Sequence, residues 1–175
     1  LAGDIIACKE VIQACERSKK DLQKSLDDPD YPYWFDPEPG IKYESFVSKF
    51  RHVEGSLVGT PIVLLDWQVW TYGQILGWKK RKDNFRRFRQ AHIEVPRGNF
   101  KSYSASTLAL YFLALDNEGG PQVYSVATSQ KQARIVFDKA NEMLQNEAKL
   151  GRFLGLKSRA HDIRLDIKRH NFTNK

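Results

Sequence analysis

Methionine is almost missing from this chain: the only one is Met143, and the first residue is Leu1. The natural start is therefore expected to lie upstream or to have been removed. The closing N-F-T-N-K shows no finished element, so the 175 residues read as a fragment of something longer. Cysteine is nearly as scarce. Cys8 and Cys15 stand seven apart on one predicted helix face, too far for a helical disulfide and too few for zinc. They read as free thiols in a reducing compartment. No run approaches the roughly 20 apolar residues of a membrane span, and no signal peptide opens the chain, so an intracellular location is expected. Internal repeats are absent. Acidic excess is lacking too: 28 Lys and Arg stand against 21 Asp and Glu, for a net charge of +7. That sign points to polyanions, meaning nucleic acid or nucleotide phosphates, although many basic proteins are merely basic. What is present, 41% hydrophobic and 12% aromatic residues, suffices for the core of one domain.

Apolar Ile5, Ile6, Cys8, Val11, Ile12, Cys15, Leu22 and Leu26 recur at helical spacing, which predicts a helix over 4–26 with Asp4 as N-cap. Four prolines between Asp27 and Gly40 predict a turn-rich connector pinned to the body by Tyr31, Tyr33, Trp34 and Phe35. Tyr43 to His52 reads as a second helix, with Phe46, Val47 and Phe50 on one face. Beyond Pro61, the spacing of Leu64, Leu65, Trp67, Val69, Trp70, Ile75 and Leu76 predicts a largely buried helix. Gln68 lies inside that apolar run. Its carboxamide has the donor and acceptor needed for the N6/N7 edge of adenine, or it is an ordinary surface glutamine. The basic run Trp78–Gln90 has a hairpin tip at Asp83-Asn84. Lys79, Lys80, Arg81, Lys82, Arg86 and Arg87 are its candidate contacts to DNA phosphates, with a solvated basic face as the other reading.

The central stretch is Ala91–Ser106, A-H-I-E-V-P-R-G-N-F-K-S-Y-S-A-S. A short apolar strand, a turn at Pro96–Asn99 and a helix from Lys101 are expected. Such a junction aims backbone N–H groups and the positive helix end at one point, the logic of a phosphate-binding loop. In G-x-x-x-x-G-K-[ST] the lysine reaches the β/γ-phosphates and the hydroxyl joins the Mg²⁺ shell. Lys101 and Ser102 fit this Walker A pattern. Val95 and Phe100 occupy the glycine positions, and Gly98 is the only glycine inside the loop. A basic loop that merely caps a helix is the alternative.

Ser104–Asp116 then reads as a helix, Gln122–Ala127 as a buried strand, and Thr128-Ser129 as the cap of a helix from Gln130 to about Lys149. Strand, helix, strand, helix predicts an α/β fold whose parallel sheet carries ligands at its strand ends, near Pro96–Ser102 and Thr128–Gln130. Asp162–Lys168 alternates Ile163, Leu165 and Ile167 with charges, as an amphipathic strand does.

From Pro61 to Asp138, the series W-Q-x-W, L-G-W-K, R-R-F-R-x-A-x-I-E-V-P-R-G-N-x-K-S and V-Y-S-V-A-T-S-Q-K-Q-A-R-I-V-F-D resembles the N-terminal ATPase region of tailed-phage terminase large subunits. Members usually carry glycine where Phe100 stands. The resemblance implies an incomplete P-loop NTPase-type parallel sheet flanked by helices over 61–175, preceded by helices and a proline-rich connector over 1–60. It implies ATP and Mg²⁺ as cofactors. Gln68 would read adenine, and Pro96, Arg97, Gly98, Asn99, Phe100, Lys101 and Ser102 would form the phosphate loop, with Ser102 toward Mg²⁺. Arg97 and Lys101 would be catalytic, Arg97 stabilising charge on the transferred phosphoryl group. Thr128–Gln130 matches a motif lining the nucleotide and DNA side of the sheet. Implied partners are double-stranded DNA, the phage portal protein, the small terminase subunit and further copies in a ring. The implied location is the host cell cytoplasm, transiently at the procapsid portal. The family pattern continues to an apolar strand ending in Asp-Glu and to a nuclease domain, and neither appears before Lys175. Weak hydrolysis and no DNA cleavage are expected of this chain alone. Two other classes stay open: a helicase-like ATPase, and a non-enzymatic basic nucleic-acid-binding module.

Overall fold

A computed structural model describes residues 6–166. The element order is α1 (Lys9–Asp27), β1 (Tyr33–Phe35), α2 (Glu38–Val47), α3 (Asp66–Gly77), β2 (Trp78–Lys80), α4 (Lys101–Ala114), α5 (Gln130–Asn146), α6 (Ala148–Phe153), β3 (Leu156–Ser158) and β4 (Ile163–Leu165). They form two compact units, Leu1–Lys42 with Asp66–His92 and Tyr43–Leu65 with Ile93–Lys175. No helix among the described residues is long and apolar enough to cross a membrane.

In the first unit the proline-rich connector contributes a strand. β1 pairs antiparallel with β2, Tyr33 opposite Lys80 and Phe35 opposite Trp78. The ladder is extended by Asp36 N–H to the Gly77 carbonyl at 2.9 Å and Arg81 N–H to the Pro32 carbonyl at 2.9 Å. Gly77 is required here because an added Cβ would meet the Asp36 carbonyl oxygen and the Phe35 ring, each at 2.6 Å. The expected N-cap Asp4 lies outside the described residues; α1 starts after Cys8, which makes no side-chain cap. The face α1 turns inward is polar. Ser18 donates to Gln74 Oε1 at 2.9 Å, Asp21 pairs with Arg87, and the Ser25 carbonyl accepts from Arg81. Val11, Ile12, Leu22 and Leu26 remain exposed. α3 is also less buried than its composition predicts: Trp67 and Trp70 are exposed, while Gln68, Tyr72 and Leu76 are buried; Leu65, expected in the same helix, precedes it and is exposed.

The second unit packs Tyr43, Phe46, Val47 and Phe50 with Ile62, Leu110, Tyr111, Met143 and Leu144. Phe46 meets Phe50 edge-on at 5.0 Å between ring centroids, and Tyr43 meets Tyr111 at 5.4 Å. α4 carries buried Ser106 and Thr107. Ser106 Oγ reaches the Ser102 carbonyl of its own helix at 2.8 Å and the Val136 carbonyl of α5 at 2.9 Å. Thr107 is hydrogen-bonded to Tyr43 Oη at 2.8 Å. Each buried hydroxyl is thus satisfied, as burial requires. Ser129 caps α5, accepting from Gln132 N–H at 3.3 Å, as the sequence predicts.

The expected parallel sheet is not formed among the described residues, which is a correction to the predicted α/β fold class. The only sheets there are the antiparallel pairs β1–β2 and β3–β4. The stretches 91–95 and 122–127 pair in no ladder among the described residues, and Tyr124 and Val126 are largely exposed. The reason is physical. Apolar, β-branched composition gives a segment the capacity to be a strand, but a parallel strand needs neighbours for its N–H and C=O groups. The predicted strand at Asp162–Lys168 is present as β4, antiparallel to β3; its Ile167 and Lys168 lie outside the described residues.

Candidate functional site

Pro96 and Gly98 shape the loop before α4. Asn99 N–H points to the Pro96 carbonyl at 3.4 Å, and Asn99 Nδ2 donates to the same oxygen at 3.3 Å. Gly98 has φ 87°, a left-handed conformation that glycine adopts without steric cost. Phe100 follows with φ 61° and ψ 9° at the N-cap of α4, where its side chain makes no cap hydrogen bond. The first helical bond is Ser104 N–H to the Phe100 carbonyl at 2.9 Å. The amides of Lys101, Ser102 and Tyr103 therefore precede the helical ladder, at the end where the helix dipole is positive. Residues 96–99 are exposed.

Lys101 folds back on this loop, its Nζ donating to the Val95 carbonyl at 3.0 Å. The ammonium and the first helical amides thus lie along one short arc of backbone. Arg97 is exposed at the turn, and Ser102 is half-buried at the start of the helix. A lysine, a hydroxyl and leading helical amides are a donor set suited to a phosphate chain.

Phe100 occupies a conformation that chirality disfavours by about 1–2 kcal/mol for a residue with a Cβ. Its ring stacks on Tyr103 with centroids 5.0 Å apart and planes 5° from parallel. His52 meets both rings edge-on, at 6.1 Å and 5.3 Å. Tyr103 is anchored in turn. Its hydroxyl accepts from Val53 N–H at 2.8 Å and Glu54 N–H at 3.1 Å, and buried Lys139 holds its Nζ 4.7 Å from the ring centroid while pairing with Glu54. Sequence reasoning missed this cluster; the signal available was the aromatic at a glycine position with another aromatic three residues on.

Among the other predicted site residues, Gln68 belongs to the first unit, on α3, and is only 3% exposed. Thr128 Oγ1 donates to Gln132 Oε1 at 2.7 Å, and Gln130 opens α5. The basic run does form a hairpin, with Asn84 at φ 57° in its tip and Lys79 bridging Arg86. Several of its cations are engaged within the unit. Lys79 pairs with Asp36 and sits 5.5 Å from the Trp34 ring; Arg81 donates to the Tyr31 and Ser25 carbonyls. Arg87 pairs with Asp21 at 2.8 Å, its guanidinium 4.3 Å from the Tyr33 ring centroid. Burial, and then the neighbouring Asp21, push the Tyr31 phenol upward. Lys82 is exposed and Lys80 half-buried. No cluster of three or more His, Cys, Asp or Glu suited to a metal ion occurs among the described residues. Asp162 pairs with Arg164 and Asp166 with Lys157, both beside β4.

The family described as the terminase large subunit, ATPase domain, matches residues 66–172. No curated protein and no solved structure matches the chain. The matched span takes in α3, the basic hairpin, the loop before α4 and the capped start of α5, well over half of the chain. The chain belongs to the terminase large subunit ATPase domain family.

Proposed function

We propose that this chain binds ATP with Mg²⁺ at Pro96–Ser102 and serves as the nucleotide-binding part of a motor that drives double-stranded DNA into a procapsid. The observation that carries the reading is the junction at α4, where Lys101, Ser102 and the leading amides follow the left-handed Gly98 and Phe100 with no side-chain cap. Lys101 would leave the Val95 carbonyl for the β/γ-phosphates, and the Ser102 hydroxyl would face Mg²⁺. Arg97, exposed at the turn, brings a fixed positive charge to the transferred phosphoryl group. The family resemblance, and no contact in the structure, assigns Gln68 to the adenine edge, where a carboxamide supplies one donor and one acceptor. Bound MgATP supplies a transferable phosphoryl group, and the protein's part is positioning and electrostatic stabilisation.

In this reading the exposed Lys82 and half-buried Lys80 are the first DNA-phosphate contacts of the basic hairpin, joined by Arg86, which bridges Lys79. Lys79, Arg81 and Arg87 hold the hairpin in shape through the internal pairs described above. The portal, the small terminase subunit and further copies in a ring complete the proposed machine, which works in the host cytoplasm at the procapsid portal. Hydrolysis by these 175 residues alone should be slow, because Glu94 precedes the loop and Asp162 and Asp166 are paired beside β4. Nuclease activity is assigned to carboxylates outside this chain.

Calorimetric titration of MgATP into the chain and into Lys101→Ala tests the reading, with circular dichroism confirming that both are folded. Binding by the parent and at least a tenfold loss in the variant are expected, since a charge-assisted phosphate contact is worth about 1.5–3 kcal/mol. DNA binding with a steep salt slope and no ATP binding would replace this reading with a basic nucleic-acid-binding module.

A further inference from the structure

We propose that the Phe100–Tyr103–His52 cluster is the positioning device of the phosphate loop: it holds Phe100 in the left-handed conformation that glycine would adopt unaided. In the phosphate-loop pattern this position is glycine, which reaches φ near +60° without penalty. Here a phenylalanine has φ 61°, so something must offset the conformational cost. The parallel stack on Tyr103 is of the same order as that cost.

Tyr103 is suited to the task because it cannot follow the loop. Two backbone amides, at Val53 and Glu54, donate to its hydroxyl, and the Lys139 ammonium lies over its ring. It is 7% exposed, whereas Phe100 is half-buried at the loop. The ring of Phe100 thus ties the exposed turn at 96–99 to a buried, anchored side chain. The residue so fixed immediately precedes Lys101, and its φ and ψ set where the Lys101 side chain and the first amides of α4 point. Phe100, Tyr103 and His52 are positioning residues; none is assigned a contact with the reacting atoms. The effect on nucleotide rests on the ATP reading above, but the effect on loop conformation does not.

The test compares Phe100→Leu with Phe100→Gly, using Tyr103→Leu as a third variant. Leucine keeps the Cβ penalty and loses the stack; glycine loses both. A ring that merely filled space would make the larger truncation, to glycine, the more damaging one. The positioning role reverses that order. Backbone carbon chemical shifts of residues 98, 99, 101 and 102, corrected for residue type and read by NMR without nucleotide, should stay parent-like in Phe100→Gly and move in Phe100→Leu and Tyr103→Leu. MgATP affinity should fall roughly tenfold in Phe100→Leu, the factor by which the left-handed region is depopulated for a residue with a Cβ, and by less than about threefold in Phe100→Gly. Parent-like loop shifts in Phe100→Leu, or a glycine variant more perturbed than the leucine one, would overturn the proposal. If the parent binds no MgATP, the ATP reading falls while the shift comparison still decides the positioning role.

Discussion

Arg87 is a candidate DNA contact by sequence, and in the structure it makes an ion pair and ring contacts within its own unit; Arg87→Ala separates the two roles. Its Nη1 lies 2.8 Å from Asp21 Oδ2, with both side chains 22% exposed, so the pair is partly shielded from water and contributes about 1 kcal/mol. The guanidinium is 4.3 Å from the Tyr33 ring centroid, 5.1 Å from Phe88 and 5.3 Å from Trp78. Cation–π attraction at such partly exposed sites adds about 1 kcal/mol in total. Removing the side chain should therefore destabilise the first unit by about 2 kcal/mol, close to thirtyfold in its folding equilibrium. Arg87→Lys keeps the charge but loses the planar guanidinium, and should recover about half of the loss. Urea unfolding followed by tryptophan fluorescence reads this unit selectively, because Trp34, Trp67, Trp70 and Trp78 all belong to it. Lys82→Ala, at an exposed position, should change stability by less than about 0.5 kcal/mol. The reasoning is refuted if Arg87→Ala unfolds with the parent's midpoint while weakening DNA binding several-fold.

Gly77→Ala should cost about 1–3 kcal/mol in the same urea assay, because the new methyl meets the Asp36 carbonyl oxygen and the Phe35 ring, and backbone cannot yield as a flexible side-chain end would. A variant as stable as the parent would show that the β1–β2 junction is looser than described. Tyr31 gives a pH signature. Its proton is held more tightly in the folded state, so its stabilising contribution is complete below the unfolded value of about 10 and is lost as pH rises through the raised folded value. Tyr31→Phe should therefore lose less stability than the parent between pH 10 and more alkaline conditions, measured as the difference between their urea midpoints; parallel pH profiles would exclude the effect.

The helices were legible because each carries its own hydrogen bonds and its own punctuation. Ser129 is a cap that needs no distant partner, and the start of α4 follows from Gly98 and the polar turn before it. α1 was legible as a helix, but the use of its faces was not. Its apolar residues recur at the expected spacing, yet the docked face is Ser18, Asp21 and Ser25, because Gln74, Arg87 and Arg81 offer polar partners there. The basic hairpin shows the same limit. A run of cations looks alike whether it faces DNA or folds onto Asp36, Asp21 and nearby carbonyls.

By itself the sequence determined the family, the helix start at Lys101 and Ser102, the hairpin tip at Asp83-Asn84 and most of the helices, although α2 begins at Glu38, inside the predicted connector, and ends at Val47 rather than His52. These depend on neighbours a few residues away, which a linear chain displays. Tertiary structure alone decided that β1 pairs with β2, that β3 pairs with β4, and that Phe100 is held left-handed by Tyr103 and His52. Strand pairing, ion pairing and ring stacking join residues far apart in sequence, and no local pattern of composition specifies which distant partner is met.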